Sequence, residues 1–186
     1  MFYRMIHKLL GLFFLFLLIA CNSGDNSSGK VIKNMKKEET GMKEREEALE
    51  KANKYLVRTE QEDIENYIRR HGLKMQETGS GLQYMIYKNG SGPKAEKGKT
   101  AILNYTLKLL TGDIIYSSKK DGQKVFKIGQ GNVESGLEEA ILKMCVGDKA
   151  VVILPAHLGY GLLGDNNKIP PRCSLVYDLE LVDLKQ

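Results

Sequence analysis

Short runs of alternating apolar and polar residues constrain the fold of this chain more than any other sequence feature. The clearest lies at 101–109, and similar runs lie at 82–87, 149–155 and 173–184, with shorter apolar stretches at 114–118 and 125–128. A period of two places alternate side chains on opposite faces of a strand. The runs therefore predict five or six half-buried β-strands. Because the connections are short and carry turn signals, we expect mainly antiparallel pairing.

One short helix is predicted between these strands. Ser135 and Glu138 have the spacing of a capping box. Three apolar residues would share one face of the helix that follows, Leu137, Ile141 and Met144. Since one helix cannot cover both faces of a sheet, residues 74–186 predict an α+β domain, a twisted antiparallel half-barrel sheet wrapped around that helix. A ligand pocket would lie between helix and sheet, lined by apolar and aromatic side chains.

The first 20 residues resemble a bacterial lipoprotein signal peptide. Arg4 and Lys8 precede an unbroken run of apolar residues and glycine at 9–19, which is short for a membrane span. The run ends in Leu18-Ile19-Ala20-Cys21, which resembles a lipobox, where the cysteine is acylated and becomes the new N-terminus. We expect residues 1–20 to be removed and a lipid on Cys21 to hold the protein at a membrane. A short membrane-anchoring helix is the alternative.

A polar segment and a charged segment follow Cys21. Residues 21–34 are rich in Asn, Ser and Gly and are expected to form a flexible tether. Residues 35–73 are predicted to form a charged helical spacer of two helices. The second helix would begin at Thr59 and stop at Gly72.

The first of these helices carries a thin apolar seam. Met42, Leu49 and Leu56 recur every seven residues, but two heptads are too few to establish a coiled coil. The helices either lift the domain off the membrane, which is our preferred interpretation, or form a dimer contact. We therefore expect a monomer or a weak dimer.

Several kinds of chemistry are not expected from this sequence. Only His71 and His157 follow the predicted signal peptide, and no CxxC or HExxH motif occurs, so no metal site is predicted. No GxSxG or Walker A sequence is present. Gly129-Gln130-Gly131 suggests a dinucleotide loop, but Glu134 occupies the position of the third glycine. No cofactor is expected.

Charge and cysteine content give two further expectations. The formal net charge is +5, with signs that alternate along the chain, so nucleic-acid binding is not predicted. Cys145 and Cys173 are expected to be small buried apolar residues, with a disulfide as the alternative.

Residues 82–184 resemble the FKBP-type peptidyl-prolyl cis-trans isomerases. The resemblance rests on motifs in the family's order, including Asn104-Tyr105-Thr106, Gly136-Leu137-Glu138-Glu139, Tyr160-Gly161, Ile169-Pro170-Pro171 and 175–181. With the lipobox, the predicted helix at 60–72 followed by Gly72–Gly79, and the variant Tyr116-Ser117-Ser118, the chain further resembles the gliding-motility-associated isomerase lipoproteins.

The resemblance implies an enzyme that isomerises X-Pro bonds in proline-containing polypeptide clients. Two positions depart from the family pattern: Tyr116 stands where Asp is usual, and Leu137 stands where many members have Trp. Glu134 is expected to present its backbone amide to the ligand. The implied catalytic residues are Tyr105, Phe126, Tyr160 and Tyr177, and the implied substrate-binding residues are Ile115, Tyr116, Val133, Glu134, Leu137 and Ile169.

The same resemblance implies a place in the cell. The protein would be lipid-anchored in the bacterial envelope, on the outer membrane facing the periplasm, and would fold exported proteins of a motility or secretion machine. Two alternatives remain open: a peptide-binding module that has lost turnover, and a structural lipoprotein whose helices carry the function.

Overall fold

The computed structural model describes residues 26–186, with side chains described at Met35 and from Lys37 onward. The predicted signal peptide, the lipidation site Cys21 and the start of the tether lie outside the described residues. The chain divides into two compact units, Met1–Asn53 and Lys54–Gln186. Among the described residues no helix combines the length and apolar character needed to cross a membrane.

One continuous helix, α1 (Asn26–His71), replaces the two helices that the sequence predicted. Thr59 does not begin a helix, because its hydroxyl donates to the Tyr55 carbonyl 3.0 Å away, a bond that a residue inside a helix makes. From Asn26, the first described residue, the helix takes up most of the segment predicted to be a tether. Its end agrees with the sequence: Gly72 has a φ of +62°, which few other residues adopt.

The last turns of α1 pack on a sheet. Ile64 and Tyr67 are buried against Ile153 and Val176. These turns belong to the unit Lys54–Gln186, so the domain begins before residue 74, where the sequence placed its start.

The described residues form one sheet of seven strands. The strands are β1 (Gln76–Glu77), β2 (Gln83–Lys88), β3 (Thr100–Leu109), β4 (Ile114–Ser117), β5 (Lys124–Lys127), β6 (Lys149–Leu154) and β7 (Leu175–Lys185). Their order is β1-β2-β6-β7-β3-β4, β5 also pairs with β3, and each pair of neighbours is antiparallel. The alternation that predicted strands is present, since inward positions of β7 are buried and Asp178 is exposed.

Two short helices complete the domain, α2 (Ser118–Asp121), which the sequence did not predict, and α3 (Ser135–Ile141). The predicted capping box of α3 is wrong. The N-cap position is Glu134, without a side-chain cap bond, and Glu138 instead accepts the amides of Gly129 and Gly131 at 3.2 and 3.0 Å. Glu138 therefore fixes the loop before the helix.

The main core lies between α3 and the sheet. Leu137 and Ile141 of α3 join Leu103, Leu107 and the inward residues of β7 in one buried cluster. The half-barrel around one helix is thus confirmed, with α1 covering part of the opposite face.

Candidate active site

An aromatic cluster lies where the sheet meets α3 and the loop before β7. Phe126, Leu137, Ile169 and Tyr177 are buried in it. Half-buried residues form its solvent-exposed edge: Tyr105, Ile115, Tyr116, Val133 and Tyr160. Every predicted apolar and aromatic site residue thus belongs to the main core cluster or packs against it, from β3, β4, β5, β7, α3 and two loops, while its contact with a substrate stays a prediction.

Strand register sets the two central rings. Tyr177 pairs with Leu107 and Val152, so it lies in the middle of the sheet, while Tyr105 pairs with Leu179, two residues along β7. The ring centroids of Tyr105 and Tyr177 are 6.1 Å apart and tilted by 54°. Tilted aromatic pairs at this separation are favourable, so the two rings form one aromatic wall.

A buried ion pair lies behind this wall. The Lys124 ammonium contacts both carboxylate oxygens of Glu134, at 3.1 and 3.2 Å, and the Tyr177 hydroxyl donates to the same carboxylate at 2.7 Å. Only 4% of the Glu134 side chain and 22% of the Lys124 side chain are exposed. The ammonium is also 5.7 Å from the ring centroids of Tyr105 and Tyr177. Glu134 thus contributes its side chain, while the ligand contact expected of its backbone amide stays a prediction.

These contacts fix the protonation states. Burial opposes ionisation of Glu134, but the Lys124 charge and the hydrogen bonds outweigh it and lower the pKa of the carboxyl. Burial, followed by the Glu134 charge, raises the pKa of both Tyr160 and Tyr177. A tyrosine is protonated at neutral pH even at its ordinary pKa of about 10, and the Tyr177 proton is already engaged with the Glu134 carboxylate.

Sequence reasoning missed the role of Lys124, although a signal was present. Lys124 and Phe126 are two residues apart on β5, so they share a strand face. Phe126 was placed in the pocket, and Lys124 therefore had to face the same way, whereas Val125 is exposed.

The flap loop, residues 155–174, closes one side of the cluster and carries Tyr160 and Ile169. Asp165 organises it by accepting the amides of Asn167 at 2.9 Å and Ile169 at 2.7 Å. The Tyr116 hydroxyl donates to the other oxygen of Asp165 at 2.5 Å, which joins β4 to the flap loop. The structure thus gives Tyr116 a defined function in holding the loop, and Asp165 is a second residue that sequence reasoning missed.

The remaining expectations concern metals and thiols. Within residues 26–186 no group of His, Cys, Asp and Glu side chains could hold a metal ion. Cys145 and Cys173 are both unpaired and half-buried rather than fully buried.

The fold and the site define a prolyl isomerase architecture, and comparison with known proteins agrees. The family model described as FKBP-type peptidyl-prolyl cis-trans isomerase matches residues 92–182. FK506-binding protein 2 of Yarrowia lipolytica is 42% identical over 92 residues, which cover 49% of this chain and 64% of that protein. FK506-binding protein 1 of Dictyostelium discoideum is 34% identical over 106 residues, covering 56% of this chain and 99% of that protein.

A solved structure extends the likeness beyond the domain. FkpA from Escherichia coli superposes with a TM-score of 0.61 and 26% identity, covering 86% of this chain and 73% of FkpA. The chain belongs to the FKBP-type peptidyl-prolyl cis-trans isomerase family.

Proposed function

We propose that the protein catalyses cis-trans isomerisation of X-Pro peptide bonds. The observation that carries this proposal is the single cluster that combines Tyr105, Phe126 and Tyr177 with the flap residues Tyr160 and Ile169. Its edge offers half-buried apolar and aromatic side chains, among them Tyr160 with its hydroxyl. Prolyl isomerisation breaks no covalent bond and needs no nucleophile.

The chemistry is the twisting of an amide. Partial double-bond character opposes rotation by about 18–20 kcal/mol, and uncatalysed exchange takes tens to hundreds of seconds. A surface that binds the twisted amide more tightly than either planar form lowers this barrier. An apolar environment favours the less delocalised twisted state, while the Tyr160 hydroxyl and the Glu134 amide hold the flanking peptide groups.

Prolyl exchange on short X-Pro peptides tests the proposal, with the full chain in mild detergent. We expect the wild type to accelerate exchange, and Tyr160→Phe and Tyr105→Ala to reduce kcat/KM. Tyr55→Phe is the matched control, because Tyr55 is 59% exposed on α1, where the Arg58 guanidinium lies over its ring. A folded wild type that leaves the exchange rate unchanged would contradict the proposal.

A peptide-binding module without turnover is the second candidate. Two observations favour it: Leu137 replaces the larger Trp of many relatives, and Tyr116 is engaged with Asp165. Peptide binding detected by fluorescence anisotropy, together with unaccelerated exchange, would establish this candidate in place of the enzyme.

We also propose that a lipid on Cys21 anchors the protein in the bacterial envelope, on the outer membrane facing the periplasm. The lipobox-like sequence Leu18–Cys21 supports this location. Labelling with a palmitate analogue should mark the wild type and not Cys21→Ser. Equal labelling of both would refute it.

Exported proteins of a motility or secretion machine are the proposed clients. The finer sequence resemblance at Gly72–Gly79 supports this assignment. Loss of such proteins from the envelope of a deletion strain, restored by the wild type and not by Tyr160→Phe, is the expected result.

We further propose that the protein is a monomer or a weak dimer through α1. Exposure supports this, since Met35, Met42 and Leu49 are each more than 60% exposed at heptad spacing, and Leu56 is 41% exposed. Sedimentation equilibrium across protein concentration distinguishes the two states, and a tight dimer would contradict both.

A further inference from the structure

We propose that Glu60, in α1, is a positioning residue for the isomerase site, because its carboxylate holds the two ends of the flap loop together. The flap loop carries Tyr160 and Ile169, which belong to the aromatic cluster. The kinetic part of this inference rests on the proposed isomerase function, whereas its structural part does not.

A single oxygen of Glu60 makes both contacts. Its Oε1 accepts the backbone amide of Ala156 at 2.6 Å and the hydroxyl of Ser174 at 2.5 Å. Ala156 begins the short 3-10 helix at the start of the flap loop, and Ser174 is its last residue before β7. Both residues are buried, at 7% and 5% exposure.

The carboxylate is held by its own helix. Ile64 lies one turn further along α1 and Tyr67 about two turns, and both are buried against β6 and β7, the strands that enter and leave the flap loop. The packing that fixes α1 on the sheet therefore also aims Glu60 at the loop ends. The charge of Glu60, after burial, contributes to raising the pKa of the neighbouring Cys173 thiol, which agrees with this placement.

A short chain of hydrogen bonds leads from Glu60 to Tyr160. The carbonyl of Ala156 accepts the amides of Gly159 at 3.0 Å and Gly161 at 2.8 Å, the two residues that flank Tyr160. The carbonyl of Gly161 in turn accepts the amide of Arg172 at 2.9 Å, near the other end of the loop. Glu60 therefore holds Ala156, whose carbonyl in turn fixes the backbone on both sides of Tyr160.

Removing the carboxylate leaves the Ala156 amide buried without its partner, a state that proteins avoid. The Ala156 amide can then find an acceptor only if the flap loop opens and admits water. If the loop is ordered in only a fraction of the molecules, the apparent affinity for substrate falls in proportion to that fraction. Turnover of the bound complex is unaffected. A general loss of stability would instead lower the amount of active enzyme, which reduces apparent kcat at constant KM.

The test uses the full chain with four variants. Glu60→Ala removes both contacts, Glu60→Gln keeps an acceptor oxygen, and Ser174→Ala removes one donor. Glu62→Gln is the matched control, because Glu62 lies on the same helix, 61% exposed, and pairs with Arg58. Prolyl exchange gives KM and kcat, and amide hydrogen exchange compares the flap loop with β3.

We expect Glu60→Ala to raise KM roughly tenfold at nearly constant kcat and to speed amide exchange in the flap loop by a similar factor, with β3 unchanged. Glu60→Gln should restore most of the wild-type KM and flap-loop exchange rate, because its neutral oxygen still accepts both bonds. Ser174→Ala should give values between those of Glu60→Ala and Glu60→Gln. Glu62→Gln should match the wild type.

Two results for Glu60→Ala would overturn the inference. One is a KM and a flap-loop amide hydrogen-exchange rate that both stay within about twofold of wild type. The other is an amide hydrogen-exchange rate that rises equally in the flap loop and in β3. A wild type without isomerase activity would refute the proposed function alone. Flap exchange would still decide the positioning role of Glu60.

Discussion

Replacing Lys124 with Met is expected to reverse the pH dependence of stability that Glu134 produces. In the wild type the pKa of Glu134 is lowered, so its contribution is present above the unfolded-state pKa of about 4.3 and is lost as pH falls through the folded-state value. Lys124→Met removes the only cation in contact with this carboxylate among the residues described, while burial of the group remains. Burial, the largest influence on this carboxyl, is then opposed only by hydrogen bonds, and we expect it to raise the pKa, so that stability falls as pH increases from about 4 to 7.

The magnitude follows from the burial of the pair. Removing one partner of a buried ion pair costs about 3–5 kcal/mol, because an uncompensated charge stays behind. The Lys124 side chain is 22% exposed, so water offsets part of this penalty, and we expect a loss of about 2–4 kcal/mol at pH 7. For a domain of this size each kcal/mol lowers the Tm by roughly 3–5 °C.

Urea denaturation at pH 5 and pH 7 measures both the size and the sign. The double variant Lys124→Met/Glu134→Gln is the control, because it removes the charge that the single variant leaves unpaired. It should regain most of the lost free energy of unfolding at pH 7 and show no reversed slope. The reasoning is refuted if Lys124→Met has the wild-type pH dependence, or if the double variant is less stable than the single one.

Three further substitutions test other parts of the structure. Tyr116→Phe removes the bond to Asp165 and should lower kcat/KM about three- to tenfold with a change in unfolding free energy of about 1 kcal/mol or less, measured by prolyl exchange and urea denaturation. Gly164→Ala places a Cβ 2.1 Å from the Ile169 carbonyl oxygen at a φ of +69°, so it should weaken peptide binding at least about tenfold in fluorescence anisotropy; wild-type affinity would contradict this. Ile64→Ala, at a site 4% exposed, should cost about 2–4 kcal/mol in thermal unfolding, and a loss below about 0.5 kcal/mol would show that α1 does not stabilise the sheet.

The strands could be predicted from sequence because each has a buried and an exposed face, as β7 shows with buried Leu179 beside exposed Asp178. The aromatic cluster could be predicted because family motifs fix residue types such as Tyr105 and Tyr160 in order along the chain. Local rules of this kind needed no knowledge of distant contacts.

The polar parts of the site depend on contacts that no local rule contains. Glu60 reaches residues 96 and 114 positions further along the chain, and the strand alternation that places Lys124 beside Phe126 does not identify Glu134 as its partner. Capping rules failed at Thr59 and at Ser135 for a related reason. Both residue types suit the start of a helix. In the folded chain, however, the Thr59 hydroxyl bonds the Tyr55 carbonyl inside a continuous helix, and the Glu138 carboxylate accepts the Gly129 amide of the preceding loop.

The pairing of β3 with β7 also determines when the domain can be assembled during synthesis. β3 lies between β7 and both β4 and β5, and its partners on β7 run from Leu175 to Lys185, so the middle of the sheet is built from segments about 75 residues apart. During synthesis from the N-terminus, β1 to β6 would leave the ribosome before β7, the strand that lies between β6 and β3. The sheet should therefore stay unfolded until β7 is free. An unfolded domain can pass through a narrow channel without any work being spent on unfolding it.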